Sequence, residues 1–129
     1  MARRLAQSSL LHIAVAFLAM GGWAVFANRA HALPQPLVAG VVQGALSGGI
    51  TFVLKRMIEF LASSFSGIAA LVLPPLIAVA LSLAVLTSIH ALAGTPEILA
   101  TIVLPVSVTA IYSTIYTTAL WRTGKASNG

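Results

Sequence analysis

Four apolar runs, at residues 10–26, 37–54, 68–92 and 98–121, leave this chain few architectures. Each holds about 17 to 25 residues, the number a helix needs to cross a hydrocarbon core of about 30 Å. Inside lipid the backbone must satisfy its own hydrogen bonds, so such runs are helices. The sequence therefore predicts an all-α fold, a polytopic integral membrane protein with four transmembrane helices in one domain spanning residues 1–129. Short connections make sequential helices antiparallel. Only 7% of the residues are charged and the mean hydropathy is +1.02. Soluble domains carry roughly a quarter charged residues, so no separate soluble domain is expected.

The basic residues give an expected orientation. Arg3 and Arg4 precede the first run, Lys55 and Arg56 follow the second, and Arg122 and Lys125 follow the fourth. Those six share one side of a four-pass chain, and Arg29 falls on the other. The positive-inside rule then places both termini in the cytoplasm; the expected location is the inner (plasma) membrane of a bacterial cell. A bias this strong argues against dual topology. A second reading takes residues 1–32 as a cleaved signal peptide, with Ala30-His31-Ala32 as the small-residue site. The long apolar run, and Asn28 and Arg29 just before that site, argue against cleavage. The other three helices keep their orientation either way.

The net charge of +5 sits in short clusters at the ends of apolar runs. That is the pattern of topology anchors beside anionic lipid headgroups, not of a nucleic-acid-binding face. The absence of cysteine excludes disulfides and thiolate metal sites. No histidine pair has metal-ligand spacing, and no paired carboxylates, nucleophile elbow or phosphate loop occurs. Neither a metal, a cofactor nor enzyme activity of this chain alone is expected.

The second run carries two rows. Gly40, Gly44 and Gly48 recur every four residues, as do Gln43, Ser47, Thr51, Lys55 and Glu59. Glycines at that spacing let another backbone approach, where van der Waals contact drives helix association in lipid. The polar row beside them should face protein or water. The fourth run answers with Thr109, Tyr112, Ser113, Tyr116 and Thr117. This second stripe reads either as interhelical hydrogen bonding or as one wall of a groove that takes a headgroup.

At the end of the polar row stand Lys55 and Arg56, which suit a phosphate oxygen, Arg as a fork and Lys as a point charge. The alternative is purely topological, with both charges holding the helix end inside. Candidate lipid-phosphate ligands are therefore Lys55, Arg56, Gln43, Ser47 and Thr51. Residues 55–67, with Met57, Phe60, Leu61 and Phe65, read as a short amphipathic segment on the cytoplasmic interface, with a fraying helix end whose charges sit in water as the alternative. An outer polar cluster of Arg29, His90 and Glu97 is a further candidate, with interface anchoring as the alternative. In Gly-Thr-Pro-Glu-Ile, Thr95 suits a helix cap, Pro96 the first helical position and Glu97 the positive helix end. Pro74, Pro75 and Pro105 fall inside the third and fourth runs and should kink them.

The layout also resembles the GtrA-like family of small four-helix membrane proteins. Gly21-Gly22 lie in the first run as that family's glycine pair does, and the second run closes on TFVLKRMIEF, residues 51–60. Phe52, Arg56 and Phe60 match the family's closing pattern; Thr51 and Lys55 stand for its asparagines and Ile58 for its tryptophan. YSTIYTTALWR, near the end, lacks the corresponding motif of the second half. The resemblance implies translocation of a polyprenyl-phosphate-linked sugar for cell-surface glycan synthesis, with Arg56 on the lipid phosphate. Two other functions stay open: a non-catalytic accessory subunit docked by its glycine row onto a larger membrane complex, and a subunit of an oligomeric small channel or transporter. Expected partners are membrane lipids, the lipid-linked sugar, and further copies or a larger membrane protein, but no nucleic acid.

Overall fold

The computed structural model describes residues 2–124; Lys125, one of the orientation charges, lies outside them. The chain forms α1 (Ala2–Ala27), α2 (Gln35–Ser64), α3 (Ala69–Ala93) and α4 (Ile98–Arg122), with no strand among the described residues. Each helix is long and apolar enough to cross a membrane. This is the architecture of a multi-pass membrane protein.

Local chemistry sets the helix ends. At the end of α3, Gly94 takes a φ of 74°, a left-handed conformation that a side chain would strain. Its N–H bonds the Ala91 carbonyl at 3.2 Å, and the Thr95 N–H bonds that of His90 at 3.0 Å. Two otherwise orphaned carbonyls are thereby satisfied as the chain turns toward α4. α3 continues through Pro74 and Pro75, and α4 through Pro105.

α2 extends past the apolar run that announced it. Residues 55–64 continue the same helix, which runs unbroken for 30 residues to Ser64. Between Gly49 and Gly67 the sequence offers neither glycine nor proline, so nothing stops the helix at Lys55. At 1.5 Å per residue it is about 45 Å long, more than a core of about 30 Å requires.

The chain divides into two compact units. The first is Met1–Phe52 with Val85–Pro105, and the second is Val53–Ala84 with Val106–Gly129. α1 belongs wholly to the first, while α2, α3 and α4 each contribute to both.

In the first unit the glycine row of α2 backs onto α1. A Cβ on Gly44 would stand 2.9 Å from the Phe17 carbonyl oxygen and 3.0 Å from its ring. One on Gly48 would meet the Ile13 side chain at 3.2 Å, and one on Gly40 would run into Val25. Gly21 of α1 returns the contact, with 2.8 Å from its built Cβ to the Gly40 carbonyl oxygen. Close backbone approach of this kind is how helices associate where lipid removes the hydrophobic drive.

The second unit holds a small core of Ala62 and Ala70, with Phe65, Leu120 and Trp121 packed against it. Trp121 Nε1 donates to the Gly67 carbonyl at 3.0 Å, tying the end of α4 to the α2–α3 turn. Thr109, Ser113 and Thr117 of α4 are buried. Ser113 Oγ donates to the Thr109 carbonyl at 2.6 Å, the back-bond that makes a hydroxyl inexpensive to bury.

Candidate functional site

The two polar rows give a site in each unit. In the second, Lys55 Nζ lies 3.3 Å from Glu59 Oε2, and the Tyr116 hydroxyl donates to that same oxygen at 2.8 Å. One carboxylate thus joins a turn of α2 to α4. The Tyr112 ring lies 5.8 Å from that of Tyr116, and Lys55 Nζ lies 5.7 Å from the Tyr116 centroid. Next along α2, Arg56 is exposed and has no ion-pair partner among the described residues. Two cations against one carboxylate leave the cluster positive. Its guanidinium fork is the group left to meet a phosphate.

The first unit contains a buried polar chain. Gln43 and His90 are both fully buried, and His90 Nε2 lies 2.7 Å from Gln43 Oε1. The other ring nitrogen, Nδ1, lies 2.7 Å from the Thr95 hydroxyl. Gln43 Nε2 then donates to Ser47 Oγ at 2.7 Å. Buried polar groups are costly unless bonded, and this chain satisfies each ring and amide atom in turn.

A second network lies at the helix ends of the same unit. Asn28 Nδ2 donates to the Ala24 carbonyl at 2.8 Å and to Thr101 Oγ1 at 2.7 Å, while its Oδ1 accepts the Glu97 N–H at 2.9 Å. One side chain therefore closes α1 and opens α4. Thr95 does not cap α4, since its hydroxyl is engaged with His90. Trp23 Nε1 adds a bond to the Ala100 carbonyl at 2.9 Å.

Against the sequence-derived candidates the outcome is mixed. Gln43 and Ser47 are bonded together, but Thr51 is exposed and Lys55 turns to Glu59. The five candidate phosphate ligands do not form one cluster. A helix advances about 100° per residue, so a strict four-residue row drifts about 40° at each step. The buried face instead moves from Ser47 to Leu54, Ile58 and Ala62. Nor do Arg29, His90 and Glu97 cluster. Arg29 lies 3.8 Å over the Phe26 ring and donates to the Phe26 carbonyl, whereas Glu97 pairs with His31 at 3.0 Å. The sequence reading missed Asn28, Thr101 and the link from Tyr116 to Glu59. An asparagine closing an apolar run was the available signal for the first.

Set against family models, curated proteins and solved structures, the chain matches none.

Replacing Tyr116 by phenylalanine removes a bond to a partly exposed carboxylate and keeps the ring packing. The expected loss is about 1 kcal/mol, read as a modest fall in the thermal midpoint of the detergent-purified protein. An unchanged midpoint would mean that the bond adds nothing.

Proposed function

We propose that this protein handles an anionic lipid headgroup at Lys55 and Arg56, as a component of the translocation of a polyprenyl-phosphate-linked sugar in a bacterial inner membrane. Both termini are cytoplasmic in this reading, which follows from the basic residues that flank the helices. The observation that carries it is the exposed Arg56, without an ion-pair partner among the described residues, beside the Lys55–Glu59–Tyr116 cluster. Glu59 draws Lys55 onto the α2–α4 side, and the adjacent guanidinium stays available to two phosphate oxygens. The accessory-subunit reading has less support, because it needs the glycine row as an outward docking face. Gly40, Gly44 and Gly48 are instead in close contact with α1 of the same chain.

Arg56→Gln tests the proposal, since it removes the charge and roughly keeps the size. In vesicles reconstituted with a polyprenyl-phosphate-linked sugar, translocation should fall at least about tenfold, the loss of one charge-assisted contact. Insertion and assembly should be unaffected, because Arg56 is exposed and makes no ion pair among the described residues. Transport at the wild-type rate would reject the role of Arg56.

A further inference from the structure

Beside the α1–α2 contact lies an open groove of about 430 Å³, bordered by Leu18, Gly22 and Val25 of α1 and by Leu37, Gly40 and Val41 of α2. Its lining consists of glycine and apolar residues throughout. The groove exists because Gly22 stands next to the close approach of Gly21 on Gly40 and fills none of the space there. A Cβ built on Gly22 meets nothing within 4 Å. Leu18, Leu37 and Val41 form exposed rims. In a bilayer such a trough is filled by hydrocarbon.

A cation stands on the same face of α1. Leu18, Gly22, Val25 and Arg29 follow at i, i+4, i+7 and i+11, and the Asn28 N–H still bonds the Ala24 carbonyl at 3.1 Å, so the helical path carries on toward Arg29. At 1.5 Å per residue, Leu18 lies about 16 Å from Arg29 along the axis. That is close to one leaflet, half of a core of about 30 Å. The Arg29 guanidinium is steadied by the Phe26 carbonyl at 2.8 Å and by the Phe26 ring at 3.8 Å. It is exposed and makes no ion pair among the described residues. Glu97, the carboxylate of this unit, is taken by His31 at 3.0 Å.

We propose that the groove holds one acyl chain of an anionic phospholipid, whose phosphate rests on Arg29. The guanidinium offers further N–H donors to the phosphate oxygens, and the chain runs one leaflet down between the rims. Charge selects the headgroup. A zwitterionic lipid brings an ammonium that calls for a carboxylate, and Glu97 is already engaged, whereas a net negative headgroup meets an uncompensated cation. Length selects the tail, since a polyprenyl chain far exceeds one leaflet. The site is separate from Lys55 and Arg56 and does not depend on their role.

The test places the full chain in phosphatidylcholine nanodiscs with a trace of phosphatidylglycerol that carries a diazirine in mid-chain. Photolabel should concentrate on residues 18–25 and 37–41. A phosphatidylcholine probe of the same chain should label them about tenfold less, the worth of one charge-assisted contact. Arg29→Gln should remove that difference, and Arg56→Gln should leave it intact. Gly22→Leu should expel the label from the groove. Gly49→Leu should not, because a Cβ there also meets nothing within 4 Å but lies outside the groove. Equal labelling by the two probes would overturn the proposal, as would label spread evenly over exposed residues such as Val15 and Ile115. So would groove labelling unchanged by Arg29→Gln, or displacement of the probe by polyprenyl phosphate but not by phosphatidylglycerol. The probe comparison and the exposed Arg29→Gln variant decide the matter even if Gly22→Leu fails to fold.

Discussion

Gly44→Leu is expected to prevent α1 from seating on α2 and to leave little folded protein. Even a single Cβ at this position would stand 2.9 Å from the Phe17 carbonyl oxygen, and that neighbour is backbone. Backbone cannot rotate aside, so the helices must separate along the contact. Overpacking of a filled contact costs about 1 to 3 kcal/mol, and Leu adds three carbons beyond the Cβ. We expect Gly44→Ala to cost about 1 to 3 kcal/mol and Gly44→Leu about 3 kcal/mol or more, out of a typical total of about 5 to 15. Gly22→Ala is the matched control, because a Cβ there meets nothing within 4 Å. The thermal midpoint and monodisperse yield in detergent measure all three. A stable Gly44→Leu protein would show that the α1–α2 contact is not as close as described.

The second large effect concerns Asn28→Ala. The side chain makes three bonds, to the Ala24 carbonyl, Thr101 Oγ1 and the Glu97 N–H. Alanine leaves the part-buried Glu97 N–H without its acceptor, while the Thr101 hydroxyl loses the bond it accepts but still donates to the Glu97 carbonyl; an unpaired donor costs about 1 to 3 kcal/mol. The combined loss should reach about 1 to 3 kcal/mol after relaxation. Hydrogen exchange at residues 97–101 should accelerate more than exchange in the second unit. Asn28→Asp should be no rescue, because it keeps the acceptor for Glu97 but removes both donors and buries a charge. Uniform exchange across both units, or an unchanged midpoint, would contradict this account of the helix ends.

The helices were readable because lipid imposes one strong rule on sequence: long apolar runs with few charges. α3 and α4 begin or end within one residue of the runs that announced them. The end of α2 was obscured because Lys55, Arg56 and Glu59 look like an interface, whereas a helix stops only where its backbone is broken or capped. The polar row misled for a geometric reason. Its spacing of four repeats in the sequence but drifts around the helix, so Gln43 and Ser47 are buried while Thr51 is not. The links of His90 to Gln43 and of Glu59 to Tyr116 span 47 and 57 residues. No local pattern encodes such pairings, although the cost of burying His or Gln signalled that some partner was required.

The central claim is that Arg56 and Lys55 receive the phosphate of a membrane lipid. Native mass spectrometry of the protein released from mild detergent tests it most directly. The account predicts a bound polyprenyl phosphate, or its sugar adduct, on the wild-type chain and its loss in Arg56→Gln. Retention of that lipid by Arg56→Gln would contradict the account, as would a wild-type chain carrying a stoichiometric larger membrane protein and no such lipid.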